Sequence, residues 1–349
     1  MLKVSAPGKI VLSGEHAVVY GYPAILASVD RRIVVSFGNP NNFSEGQDFI
    51  YKAVNLLKKN LQVKDVNPSL KIVSDIPVGS GMGSSAALSV ALSALFYSSI
   101  QETDLIGDDP PASAWSVSDW RAGLNADMSS SFGGKPRSLE RGGCHKKYKK
   151  IWDLNLINDM AYQIERIQHG NPSGGDNTVS CFGGFLWFRK KSERKMLFTQ
   201  VKPTKKFPKI IIFQSGRPKE TTGEMVAQVR DFYVHHRREV EKIFNNLESV
   251  TKGFLKCLNA DFSDISILIN ENERLLEALG VVSDKTRLLI RKIKKLGGAA
   301  KVSGAGGKIT GSGILIAYHK EPEKLFLFAK SNKLDTISVR LGGKGVKIE

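Results

Sequence analysis

The apolar positions of this chain change period several times, and each change marks an element. Over residues 4–35, short apolar runs are punctuated by Gly14 and by Gly21, Tyr22 and Pro23, and Ile33, Val35 and Phe37 alternate. That pattern predicts strands joined by tight turns. In Gln47–Leu61, Phe49, Ile50, Ala53, Leu56 and Leu57 share one side of a helix. Leu70, Ile72 and Ile76 return to even spacing, a half-buried strand whose alternation Ser74 breaks. Residues 86–96 are almost wholly apolar and rich in helix formers, so they predict a buried helix.

Residues 107–150 lack sustained periodicity, and a loop of that length inside a compact domain is usually functional or disordered. Periodicity resumes with Leu156, Ile157, Met160, Ala161, Ile164 and Ile167, an amphipathic helix on which Glu165 borders the buried face. A buried strand is expected at 182–188. The polar stretch 189–207 then reads as a domain boundary, dividing the chain into 1–195 and 205–349. Beyond it the pattern predicts a strand at 209–213 and helices at 220–241, 244–258, 264–279 and 285–296. The apolar strand Ile314–Tyr318 and a tail of helix and strand follow.

The totals narrow the class. At 349 residues, with 41% hydrophobic and 24% charged, the chain has the composition of a globular protein of about two domains. The longest apolar run falls well short of the ~20 residues a membrane span needs, and no targeting segment is expected. Cys144, Cys181 and Cys257 lack CxxC spacing, which points to a reducing cytoplasm and no structural zinc. The net charge of +17 is the unusual total. Its lysines and arginines are scattered in pairs and triples, densest in HKKYKK at 145–150. No nucleic-acid signature accompanies them, so a solvated basic surface is expected, with attraction of anionic substrates as the other reading.

The chemistry concentrates at 77–87, PVGSGMGSSAA, where a strand runs through a glycine-serine loop into an apolar helix. Small residues let backbone N–H groups approach a phosphate, and the helix dipole favours negative charge there. An ordinary tight turn with a serine cap would use the same residues. Three more segments accompany it in order. They are SAPGK at 5–9 followed by GEHAVVYG at 14–21, HGNPSGGDN at 169–177, and VSGAGG at 302–307.

Together these motifs resemble the GHMP small-molecule kinase superfamily and, within it, the mevalonate kinase family, over most of the chain. The resemblance implies an α+β fold of two domains, the first like ribosomal protein S5 domain 2 and the second ferredoxin-like. It implies ATP and Mg2+ as cofactors and mevalonate as a small-molecule substrate phosphorylated on its primary alcohol. No nucleic-acid or membrane partner is expected, and a homodimer is compatible. Gly79, Ser80, Gly81, Met82, Gly83, Ser84 and Ser85, with Gly304, Ala305 and Gly306, would cradle the ATP phosphates. Ser85 and Glu165 would hold Mg2+, which accepts hard oxygen ligands and keeps several waters. Asp176 would accept the proton of the substrate hydroxyl, with Lys9 beside it neutralising charge on the phosphoryl group. Glu15 and His16 would hold the acceptor, with His16 donating to a carboxylate or hydroxyl. Thr221 is a further substrate contact, and Arg217 or Lys219 would draw in a carboxylate.

Two departures stand out. After Gly307 the family's glycine run is interrupted by Lys308, Ile309 and Thr310, which either add a charge to the site or bulge the loop and weaken nucleotide binding. The insertion 107–150 is a lid, a partner site or disorder. Rival readings are phosphomevalonate kinase, from which a tyrosine rather than His16 is expected after Gly-Glu, another GHMP kinase, or a weakened relative binding polyanions.

Overall fold

The computed structural model describes residues 2–38, 47–62, 69–77, 81–103, 152–192 and 195–349. The insertion 107–150, with Cys144, and the loop residues Gly79 and Ser80 lie outside the described residues. Strands β1 (Lys3–Ser13) and β2 (Pro23–Phe37) form a long antiparallel pair joined through a short 3-10 turn at Ala17–Tyr20. One edge of β2 serves two partners. Residues 23–27 pair with β4 (Phe185–Ser192), and residues 33–37 pair with β3 (Leu70–Ser74). β5 (Lys195–Val201) lies beyond β4.

Helices α1 (Gln47–Leu61), α2 (Ser84–Thr103), α3 (Leu154–His169) and α4 (Gly175–Phe182) complete this half. α2 packs on β1, β2, α3 and α4, and Val90, Ala91, Leu92, Ala94 and Leu95 are wholly buried. Some of its serines bond within the helix, Ser93 Oγ donating to Ser89 O at 2.8 Å. α3 starts where Asp153 accepts the N–H groups of Asn155 and Leu156.

The second half runs β6 (Ile210–Gln214), helices α5 (Thr222–His235), α6 (Arg237–Asn259), α7 (Ile265–Ala278) and α8 (Asp284–Lys295), β7 (Ala299–Ser303), β8 (Ile314–Tyr318), α9 (Pro322–Ser331) and β9 (Thr336–Val339). Its antiparallel sheet has the order β7-β8-β6-β9, the β-α-β-β-α-β arrangement of a ferredoxin-like domain.

Four details differ from the pattern reading. The strand expected at 182–188 begins at Phe185, because Phe182 closes α4 and Gly183 and Gly184 both take positive φ. The polar stretch 189–207 is largely the β4–β5 hairpin, whose outer strand is polar as an edge strand should be. The helix expected at 220–241 breaks at His236, with no glycine or proline to announce it. There the rings of Tyr20, Tyr233 and Phe244 pack together, Tyr20 lying 4.9 Å from each of the others. The C-terminal residues return to the first sheet. Val29 bridges Leu341, and β10 (Lys347–Ile348) pairs with β1.

The two halves share a buried polar seam. Lys301 of β7 is wholly buried and pairs with the Glu15 carboxylate. Lys301 Nζ also donates to Val11 O at 3.2 Å, and Asn272 Nδ2 donates to Glu15 Oε2 at 3.3 Å. Val11 and Ser303 exchange two further bonds, and Ser13 Oγ lies 2.7 Å from Thr251 Oγ1. Glu273 accepts the Val302 N–H at 2.7 Å, and burial pushes its carboxyl up to about 8. His16 Nε2 lies 3.0 Å from Ala305 O. A carbonyl only accepts, so Nε2 carries the proton. Burial lowers His16 to about 4, against the pull of that bond, and the ring is neutral at physiological pH.

Removing one partner of a buried ion pair leaves the other charge uncompensated, at about 3–5 kcal/mol. Lys301→Met is therefore expected to lower the urea midpoint sharply, and Glu15→Gln added to it recovers much of the loss. His16 gives a pH signature. Its folded pKa is depressed, so the unfolded state binds the extra proton between pH 6.5 and about 4. The stability it contributes is complete above pH 6.5 and is lost as pH falls through that window, by about 3 kcal/mol. Denaturation midpoints against pH should show the loss, and His16→Gln should flatten it.

Candidate active site

β1 delivers Lys9 to the glycine loop. Its backbone N–H donates to Met82 O at 2.8 Å, and its stem lies flat on Gly83, where an added Cβ would come 2.7 Å from Lys9 Cγ. Gly83 also holds φ +73, a conformation that favours glycine. Lys9 Nζ then reaches Asp176 Oδ2 at 3.0 Å. Asp176 stands in the first turn of α4, more than a third exposed, so a ligand can reach it.

The loop runs directly into α2. That helix begins at Ser84 with no acidic residue in its first turn, so the positive end of its dipole is left for an external anion. Met82 contributes backbone here, since its side chain is buried in the core. The second glycine segment lies against the first, and a methyl placed on Gly81 would touch Ser303 O at 3.6 Å. Gly304 and Ala305 are partly exposed beside it, Gly306 is buried, and Ala305 O is the acceptor for His16.

Ser85 and Glu165 meet across α2 and α3. Ser85 Oγ lies 2.5 Å from Glu165 Oε1 and 2.6 Å from Gln168 Oε1, and Ser89 Oγ donates to Glu165 Oε1 at 2.9 Å. His169 Nε2 stands 3.8 Å from Glu165 Oε2. Burial pushes the Glu165 carboxyl up, Ser85, His169 and Ser89 pull it back, and Asp176 adds a further upward push. A buried carboxylate beside a hydroxyl is a hard-oxygen donor set suited to Mg2+. Among the described residues no group of three His, Cys, Asp or Glu is placed to hold a metal. Bound Mg2+ would therefore complete its shell with water and ligand oxygens.

Two expected substrate contacts have structural work instead. Glu15 is 3% exposed, and its carboxylate is taken up by Lys301 and Asn272, so it faces the other half of the molecule. Thr221 caps α5 in a reciprocal capping box with Glu224. The TxxE spacing of Thr221 and Glu224 is the signal that reveals this. His16 has spent its Nε2–H on Ala305 O, so Nδ1 is left as an acceptor rather than a donor. Arg217 and Lys219 are exposed. Lys308 to Thr310 are anchored. Glu220 Oε1 accepts the N–H groups of Lys308 and Ile309 at 3.0 Å each, and Thr310 Oγ1 donates to Arg217 O at 3.0 Å. Residues to which the sequence reading gave no role of their own include Ser89, Gln168, His169 and Lys301. The i,i+4 pairs Ser85/Ser89 and Glu165/His169 and the i,i+3 pair Glu165/Gln168 were legible signals for three of those neighbours.

No helix among the described residues is long and apolar enough to cross a membrane. Cys181 and Cys257 are free and buried, and burial pushes both thiols up.

Residues 48–108 match the family model described as the GHMP kinases N terminal domain. A mevalonate kinase of Archaeoglobus fulgidus is 28% identical over 313 residues, covering 87% of this chain and 88% of that protein. Among solved structures, L. major mevalonate kinase in complex with R-mevalonate superposes with a TM-score of 0.69 at 20% identity, covering 97% of this chain and 95% of that one. Streptococcus pneumoniae phosphomevalonate kinase gives 0.65 at 16% identity, with 98% and 99% covered, so the fold is shared by kinases with different acceptors. The motif order, the convergent glycine segments and these likenesses agree: the chain carries a GHMP kinase N-terminal domain at residues 48–108, is similar to mevalonate kinases over most of its length, and shares their fold.

Proposed function

We propose that this protein transfers the γ-phosphoryl group of ATP to the primary alcohol of mevalonate, giving 5-phosphomevalonate, with Mg2+ and in the cytoplasm. The observation that carries this reading is the 3.0 Å Lys9–Asp176 pair set against the glycine loop at the head of α2. Sequence likeness over most of the chain to mevalonate kinases supports the acceptor.

Asp176 accepts the proton of the acceptor hydroxyl. The freed oxygen bonds to the γ-phosphorus as the bond from that phosphorus to the bridging oxygen breaks, and ADP leaves. Lys9 offsets the negative charge that builds on the transferring group. Gly81, Gly83 and the first turn of α2 receive the phosphates, with Gly304 to Gly306 closing from the other side. Bound Mg2+, held by Ser85 and Glu165, would neutralise phosphate charge. The neutral His16 ring suits a hydroxyl of the acceptor through Nδ1, which leaves Arg217 or Lys219 for its carboxylate.

The decisive test is ADP release over mevalonate, phosphomevalonate, galactose and homoserine. Turnover with mevalonate is expected, and none from well-folded protein would sink the assignment. Asp176→Asn should lower kcat by about 10²–10⁴-fold while KM for ATP changes little. A weakened, polyanion-binding relative would instead bind nucleic acid with a steep salt dependence and release no ADP.

A further inference from the structure

β4 alternates, so Leu186, Phe188 and Lys190 fall on one face. Leu186 and Phe188 are wholly buried there with Val11, Leu26 and Val179. A lysine third in that series, only 6% exposed, needs polar partners. Lys190 Nζ donates to Asn171 Oδ1 at 2.7 Å and to Pro172 O at 2.8 Å. Both oxygens belong to the turn that precedes Asp176.

Directly across the hairpin, Met196 pairs with Lys190, so the two side chains share that face. Met196 reaches the same turn. A Cβ added to Gly174, which holds φ +81, would sit 2.0 Å from Met196 Sδ. Leu26 bears on the next residue, Gly175, from β2. The turn is thus gripped on one side by an ammonium and a thioether from one hairpin, and it opens into α4 with Asp176 in its first turn.

We infer that Lys190 is a positioning residue for phosphoryl transfer: with Met196 it clamps residues 171–174 and so sets Asp176 against Lys9. The turn's own oxygens accept hydrogen bonds from its ammonium. Removing it takes the donor from both oxygens and frees the turn to shift. A displacement of about 1 Å at a catalytic group is enough to cost on the order of 10²-fold in rate.

This inference rests on the phosphoryl-transfer reading, and its test separates the two. In the full-length protein with ATP and mevalonate, Lys190→Met is expected to lower kcat by about 30- to 100-fold while KM for ATP stays within about three-fold. In an Asp176→Asn background the same change should cost less than about two-fold, because the group it positions is already gone. Equal losses in both backgrounds, or a wild-type kcat in Lys190→Met, would overturn it. Hydrogen exchange supplies a readout independent of turnover, with faster exchange expected at residues 171–176 in Lys190→Met and protection elsewhere unchanged. If no acceptor is turned over, the activity reading has failed, and unchanged exchange at 171–176 overturns the clamp as well. Met196→Ala, which removes the other prong without burying a charge, should loosen the same residues if Lys190→Met does not fold.

Discussion

The buried pairing of Glu15 with Lys301 joins the two halves of the molecule, and the site depends on it. Each group would be strongly disfavoured alone in the interior, so the pair persists only while β7 stays seated against the turn after β1. Asn272 donates to Glu15 and Val11 O accepts from Lys301, while Ser303 bonds Val11 beside the pair. Two residues beyond Val302 the chain enters the glycine segment 304–306, and one residue beyond Glu15 stands His16. The same seam therefore brings His16 onto Ala305 O and lays Ser303 against Gly81.

This arrangement assigns different work to two neighbours in one motif. Glu15 faces the second half and serves as the counterion of Lys301. His16, neutral and committed through Nε2, offers an acceptor nitrogen in place of the expected donor. A hydroxyl-bearing ligand suits that nitrogen better than a carboxylate does, and the exposed cations Arg217 and Lys219 stand on the opposite half.

The interruption at Lys308 to Thr310 also changes meaning in three dimensions. Glu220 and the carbonyl of Arg217 hold it, and Ser215 and Gly216 bond to Gly313 and Ser312 just after it. The inserted residues tie the second glycine segment to the stretch 214–221. What reads along the chain as an interruption of the glycine run is hydrogen-bonded to that stretch.

Much of this was present in the order of residues. Periodic patterns and apolar runs placed α1, α2, α3, α7, α8, β3, β6 and β8, since burying an apolar face leaves its trace in the order of residues. The glycine loop was legible as a phosphate cradle from its own residues, whereas Lys9, Glu165 and Asp176 were singled out through the resemblance of their motifs to a known family, since lysine, glutamate and aspartate are ordinary on turns and helix faces. Their meeting was not. Lys9 and Asp176 are 167 positions apart, and nothing local fixes a 3.0 Å contact. The break at His236, the return of the last strand to β1, the capture of Glu15 by Lys301 and the reach of Lys190 into the turn before Asp176 were decided by packing between distant segments. Sequence determined which faces had to be buried and which groups were available for chemistry. Only the tertiary structure decided which buried charges neutralise one another, because desolvation makes a charge depend on partners that the chain brings near from elsewhere.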